Sequence, residues 1–358
     1  MVREHRKARL NSRFDVEKLL DLLRDQKWTF WTTSISVKLQ VRQVETIYLT
    51  YPLTEDVIAR SARKQVIAIG QFDGLHLGHA SVIKSAVRVA AEQGLPSGVM
   101  TFHPHPKEVM KKGDYEGYLT PPAEKEKIIR DMGVDYLYIV EFNDSFSRVS
   151  PQNFVGGMLM PLEILTAVVG FDFHFGYRGE GHAGMLRELS DYKLDVTIVP
   201  PFLIEGDKVS SSNIRLDLQE GNVKQVRRLL GRPYSLSGIV MHGEKRGRTI
   251  GFPTANLKMG EHFVLPRKGV YAVRVGHEDQ VLHGVMNVGV KPTFHEDETV
   301  PSIEIHLLDF SGDLYGKPLT VELIGFIREE RKFGSIEQLV AQITNDAETA
   351  KQILSSAE

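Results

Sequence analysis

Residues 70–79 read Gly-Gln-Phe-Asp-Gly-Leu-His-Leu-Gly-His, directly after an apolar run and at the opening of a helical pattern. Gly70, Gly74 and Gly78 allow a backbone to approach a ligand closely. A helix N-terminus presents free N–H groups and positive potential to phosphate. His76 and His79 lie three apart, on one face of the incoming turn. Two imidazoles there can donate hydrogen bonds to a phosphoryl group as negative charge builds on it. A second segment, Lys208-Val-Ser-Ser-Ser-Asn-Ile-Arg215, carries three hydroxyls between two cations. Ser211 and Ser212 either cap a helix or bond phosphate oxygens, while Lys208 and Arg215 neutralise charge.

A third segment, Gly243–Gly251, is rich in glycine and cations and includes Gly247, as a phosphate-enclosing loop requires. It does not match G-x-x-x-x-G-K-[ST], so it is not a P-loop. Thr254 and Asn256 are two apart on an extended segment and project to one side. Both are hard oxygen donors suited to Mg²⁺. In Ile303-Glu-Ile-His-Leu307 an acid alternates with apolar neighbours, which puts Glu304 on the face of Ser302 and His306. Beside Mg-ATP such a carboxylate takes the proton of an attacking hydroxyl. Away from one it is a solvated residue on an outer strand face. His103 and His105 also invite a metal reading, but prolines intervene and no third ligand is near, so loop rigidity is the better account.

Strand-like runs at Val66–Phe72, Gly98–Phe102, Tyr136–Phe142, Ala167–Phe173 and Asp195–Val199 position the first two segments. Helical patterns at His79–Gln93, Pro122–Met132 and Pro151–Leu159 alternate with them. That order predicts an α/β fold with a doubly wound parallel sheet, whose ligands sit at the carboxyl ends of the strands. Helical patterns at Ser211–Glu220 and Val223–Leu230 close the region. After Arg232-Pro233, short strands at Ser237–Met241, Gly269–Val275, Gly284–Val288, Ile303–Leu308 and Leu319–Phe326 predict a small antiparallel β-barrel. Ser311-Gly312-Asp313 reads as a hairpin turn. A C-terminal helix is expected from about Ser335 to Ser355.

The 358 residues hold 44 Lys+Arg against 46 Asp+Glu, a formal charge of −2. That balance offers no general attraction to nucleic acid or to anionic membrane, so any polyanion must be met locally. Zero cysteines exclude disulfides, thiolate metal sites and cysteine nucleophiles. No apolar stretch approaches the roughly 18 residues of a membrane span, and nothing N-terminal resembles a signal peptide, so the expected location is cytoplasmic. Residues 1–44 carry a basic start and are expected to be a poorly ordered extension. The domain division expected is 45–232 and 233–358.

The block Gly70–His79 is the HxGH signature of nucleotidyltransferases. Together with Thr101-Phe-His-Pro-His-Pro106, Gly170-Phe-Asp-Phe-His-Phe-Gly176 and Val209–Arg215, it resembles prokaryotic bifunctional FAD synthetases (riboflavin kinase/FMN adenylyltransferase). Gly247–Asn256, Asn287–Thr293, Glu304–Phe310 and Arg328–Phe333 resemble the riboflavin kinase module of the same family. The resemblance implies that His76 and His79 bind ATP phosphates and that Ser211, Ser212 and Arg215 form a second phosphate clamp. Gly70, Phe72, Asp73 and Gly78 would contact nucleotide, and Asp172 would stand at the adenylylation site. It further implies Mg²⁺ on Thr254 and Asn256, Glu304 as base and Arg331 near the flavin. Ser212 stands where the family usually has threonine, and His174 where it often has arginine. The implied ligands are riboflavin, FMN, FAD and ATP, with no nucleic acid or membrane partner. Two other readings remain: a kinase whose adenylyltransferase has decayed, and a non-catalytic flavin sensor. The products formed from riboflavin and Mg-ATP discriminate among the three.

Overall fold

In the computed structural model, residues 44–111, 115–243, 246–292 and 299–357 are described. The expected N-terminal extension lies outside them, apart from Val44. Six strands form one parallel sheet: β1 (Glu45–Leu49), β2 (Gln65–Ile69), β3 (Ser97–His103), β4 (Tyr136–Glu141), β5 (Ile164–Gly170) and β6 (Asp195–Val199). Their spatial order is β1-β4-β3-β2-β5-β6. The chain winds outward from β2 through β3 to β4 and then returns to the other side as β5 and β6. The topological switch therefore lies between β2 and β5, where open parallel sheets bind ligands at their carboxyl ends.

Alternation along the strands separates two buried faces. Ile67, Ile69, Met100, Tyr138 and Val140 enter one core. Val66, Ala68, Val99, Leu137 and Ile139 enter the other, against Val82, Ile83, Ala86 and Ala90 of α1 (Leu77–Gln93). α1 ends on Gly94, whose φ of 67° is the left-handed cap that glycine adopts without steric cost. Helix α2 (Pro122–Asp131) starts on proline, which suits a first helical turn. The segment expected as one helix over Pro151–Leu159 is an α turn at Pro151–Phe154 followed by a π-helical turn at Val155–Leu159.

Helices α3 (Ser211–Glu220) and α4 (Val223–Leu230) have the bounds their pattern predicts, but the α3 cap is Ser210, one residue before the expected Ser211 or Ser212, and α4 is capped by Asn222. Their apolar residues Ile214, Leu218, Val226 and Leu229 share one core with Tyr234, Leu236, Val264 and Leu323 of the following barrel. That barrel is closed and antiparallel. Its strands are β7 (Tyr234–Met241), β8 (Ala255–Lys258), β9 (Gly269–His277), β10 (Gln280–Pro292), β11 (Thr299–Leu307) and β12 (Pro318–Arg328). They run in the order β7-β8-β11-β10-β9-β12. The expected hairpin at Ser311–Asp313 is not present. β11 pairs with β8 and β10, while β12 pairs with β7 and β9, so the turn reverses direction without joining paired strands. Helix α5 (Ile336–Ser355) follows, capped by Ser335. Buried Asp346 on α5 takes a bidentate bond from Arg328 at the end of β12, which pins the helix to the barrel.

Candidate active sites

A cavity of about 610 Å³ opens at the switch point. Gly70, Phe72, His76, Gly78 and His79 form one wall, and Asp172, Lys208 and Ser211 another. Phe102, Phe142, Phe146, Phe173 and Phe175 supply an apolar end fit for a planar ring system. His76 is the N-cap of α1, and its Nδ1 accepts from the His79 backbone N–H at 3.1 Å. That bond puts the proton of the neutral ring on Nε2. The two imidazoles stack at 3.6 Å between centroids and 16° between planes, with Phe72 edge-on to His79 at 5.4 Å. Burial lowers the His76 pKa to about 4 and takes His79 well below its ordinary value, with His76 and Lys125 adding to the effect on His79. Both rings are therefore neutral hydrogen-bond donors at physiological pH. The His79 Nδ1 is buried without a hydrogen-bond partner.

Across the cavity, Lys208 Nζ meets Asp172 Oδ2 at 2.6 Å and lies 4.6 Å over the Phe171 ring. Both side chains are exposed, so the pair can exchange for a ligand at little cost. Ser211 lines the cavity, and its hydroxyl donates to the Asp73 carbonyl at 2.8 Å. Three expected contacts are not brought to this cavity: Asp73, Ser212 and Arg215 line none of it. Ser212 is exposed on α3. Asp73 is 3% exposed and accepts from the Leu119 and Thr120 N–H groups at 2.9 and 3.1 Å. Arg215 bonds the other Asp73 oxygen at 2.6 Å and the Gly117 carbonyl at 2.8 Å. In this structure the pair braces the loop behind the cavity.

Lys125 has no counterpart in the sequence reading. It is buried under the loop, and its Nζ donates to the Gln71 carbonyl at 2.9 Å and to Thr101 Oγ1 at 3.3 Å. Burial lowers its pKa to about 8, against a smaller opposing pull from Asp73. His103 and His105 are engaged locally: His103 Nδ1 meets the Tyr118 hydroxyl, and His105 Nδ1 accepts from the Lys107 N–H.

The other constellation lies on the outer face of the barrel. Ile303, Ile305 and Leu307 point into the barrel core, which leaves Ser302, Glu304 and His306 on the outside. Glu304 stands opposite Asn256 of β8 and Asn287 of β10 in the strand register, and Ser302 Oγ donates to it at 3.3 Å. His306 Nδ1 donates to the Pro253 carbonyl at 2.9 Å, which fixes the residue before Thr254. Glycines close the cradle. A Cβ on Gly247 would lie 2.3 Å from the Phe252 carbonyl, and one on Gly243 would lie 2.2 Å from Asn256 Nδ2. Thr254 and Asn256 offer hard oxygens of the kind that suits Mg²⁺, with Glu304 opposite Asn256 in the strand register. Asn287 and Glu330, which sequence reasoning missed, are joined by a 3.1 Å bond beside Glu304. Arg331 is exposed and bonds Gln342 of α5, with Phe333 beneath its guanidinium.

A glycine- and histidine-lined cavity at the switch of a parallel sheet, followed by a closed antiparallel barrel, is the layout of a two-module transferase. Comparisons agree in the same order along the chain. A family model for FAD synthetase matches residues 58–213, and one for riboflavin kinase matches residues 230–354. A bifunctional riboflavin kinase/FMN adenylyltransferase of Bacillus subtilis (strain 168) is 42% identical over 315 residues, covering 87% of this chain and 99% of its own. One from Escherichia coli (strain K12) is 38% identical over 290 residues, covering 80% and 92%. A crystal structure described as a macrolide-efflux protein from Streptococcus pneumoniae shares the fold with a TM-score of 0.77. It is 33% identical and covers 86% of this chain and 99% of that one. The chain belongs to the family of bifunctional riboflavin kinase/FMN adenylyltransferases. Among the described residues, no helix is long and apolar enough to cross a membrane.

Proposed function

We propose that the chain converts riboflavin to FAD in two consecutive reactions at the two sites, as a cytoplasmic enzyme. At the barrel, the ribityl 5′-hydroxyl of riboflavin attacks the γ-phosphorus of ATP, and FMN and ADP leave. Glu304 accepts the hydroxyl proton as the new O–P bond forms. Thr254 and Asn256 would hold Mg²⁺, which would supply charge stabilisation for the transferring phosphoryl group. Ser302 and the Asn287–Glu330 pair orient the carboxylate and its neighbours, and Arg331 lies toward the flavin.

At the sheet, the FMN phosphate attacks the α-phosphorus of a second ATP, giving FAD and pyrophosphate. Its attacker is already an anion, so no general base is required. His76 and His79 act as neutral donors to the ATP phosphates from the α1 terminus, and Lys208 leaves Asp172 to meet phosphate. Gly70 and Gly78 keep the backbone close, with Phe72 packed against the loop. Ser211 lies at the cavity, and Ser212 completes the α3 terminus. Asp73 and Arg215 act from behind as a brace. The two flavin-handling modules are 45–232 and 233–358, with α3 and α4 as their shared packing.

The observation that carries this reading is the stacked neutral His76/His79 pair facing Lys208 across an aromatic-ended cavity, on a chain that also carries the Thr254/Asn256/Glu304 cradle. Product analysis of riboflavin plus Mg-ATP tests it. FAD with pyrophosphate supports the reading, FMN alone indicates a decayed adenylyltransferase, and binding without turnover indicates a sensor.

A further inference from the structure

The loop from Gly70 to His76 departs from ordinary backbone at three places: φ is 48° at Phe72, 90° at Gly74 and 43° at Leu75. For the two residues with side chains, such a conformation is strained and persists only where surroundings over-determine it. The surroundings here are side chains that seize the loop's carbonyls one by one. Gln71 O is held by Lys125 and by Thr101, and Asp73 O by Ser211. The remaining two grips come from one residue. Arg232 donates through Nη2 to Gly74 O at 2.9 Å and through Nη1 to Leu75 O at 3.0 Å, with a further 3.3 Å bond to Thr120 Oγ1.

Arg232 lies two residues before the first strand of the kinase barrel and lines none of the 610 Å³ cavity. Its neighbour Gly231 has φ 73°, and a Cβ there would lie 2.7 Å from Leu77 Cδ2, so the junction runs close against the first residue of α1. A carbonyl bound to a guanidinium is not free to turn toward an incoming phosphate, where its negative end would repel. The planar fork spans two neighbouring carbonyls at once, which a lysine ammonium does not reproduce.

We propose that Arg232, at the junction with the kinase module, is a positioning residue of the adenylyltransferase. It holds the Gly74 and Leu75 carbonyls back so that His76 and the α1 terminus keep their approach to the ATP phosphates. The inference rests on the adenylyl-transfer reading of that cavity. It assigns Arg232 no contact with substrate and no part in the kinase reaction.

The test uses the full chain as Arg232→Lys and Arg232→Ala, with both half-reactions and the thermal midpoint measured. FMN adenylylation should lose about 10–100-fold in kcat, the size expected from a displaced phosphate loop. KM for FMN and ATP should stay within about threefold, the split expected for a defect in alignment. Riboflavin phosphorylation should be unchanged in both variants. Guanidinium ion added to Arg232→Ala should recover part of the lost kcat, and Arg232→Lys should not behave as wild type. Adenylylation at wild-type rate in either folded variant overturns the inference, as does parallel loss of both activities in Arg232→Lys. Should Arg232→Ala fail to fold, Arg232→Lys decides alone. A wild-type chain that forms no FAD would instead remove the reading beneath the inference.

Discussion

The buried ion pair behind the phosphate loop gives a quantitative handle on what Arg215 does. Asp73 Oδ1 takes two backbone N–H bonds and Oδ2 takes the Arg215 bond, with the side chains 4% and 18% exposed. In Asp73→Asn the amide oxygen keeps the two backbone bonds, while its NH₂ faces the guanidinium, donor against donor. One charge-assisted bond is lost and a cation is left unpaired, at a cost of about 3–5 kcal/mol. That corresponds to a thermal midpoint lower by roughly 10 °C. Arg215→Met leaves a buried carboxylate with only its two N–H bonds and should cost a similar amount. The double variant holds neither unpaired charge, so its loss should fall short of the sum by about 2–3 kcal/mol. Urea and thermal unfolding of the four proteins measure the coupling. Additive losses, or Arg215→Met with an unchanged midpoint and a raised KM for ATP, would refute the brace and return Arg215 to the phosphate clamp.

Gly247→Ala should abolish FMN formation while supplied FMN is still adenylylated, because its Cβ would lie 2.3 Å from the Phe252 carbonyl; normal kinase turnover would contradict this. Thr254→Ala should weaken Mg-ATP binding at the kinase site, with turnover partly restored at high Mg²⁺, read from KM against metal concentration. Stability should respond to acid in a defined window. His76 is lowered from 6.5 to about 4 by burial, His105 likewise, and His79 is lowered too. The unfolded chain thus takes up protons first, and the stability held above pH 6.5 is lost as pH falls toward 4. The thermal midpoint should decline below about pH 6.5, and less steeply in His76→Ala/His79→Ala; identical slopes would rule these histidines out as the cause.

The bounds of the helices over residues 211–230 were legible because their punctuation is local, with Asn222 at one start and Gly221 and Gly231 in left-handed turns at the ends. Among three successive serines, however, the α3 cap falls on Ser210 rather than on Ser211 or Ser212. β1 and β8 were not legible, since Glu45–Leu49 is an edge strand with one apolar face and Ala255–Lys258 spans only four residues. Ser311-Gly312-Asp313 carries the chemistry of a reversal but says nothing about partners, which the barrel's order decides. Residues whose own type suggests chemistry, His76, His79, Thr254, Asn256 and Glu304, could be singled out by alternation and helix phase. The braces could not. Arg232 meets Gly74 across 158 positions, Arg215 meets Asp73 across 142, and Lys125 meets a backbone carbonyl, which has no signature in sequence.

The central claim is that two independent sites act in series, and a pair of separated-function variants tests it most directly. Glu304→Gln should convert supplied FMN to FAD at the wild-type rate but lose roughly 10²–10⁴ in kcat for FMN formation. His76→Ala/His79→Ala should phosphorylate riboflavin normally and stop at FMN, since removing one such donor alone costs on the order of 10²–10³. Mixed in one vessel with riboflavin and Mg-ATP, the two variants should restore FAD, the first using FMN released by the second. A mixture that yields no FAD while each protein is folded, or either variant losing both reactions at once, would contradict the account.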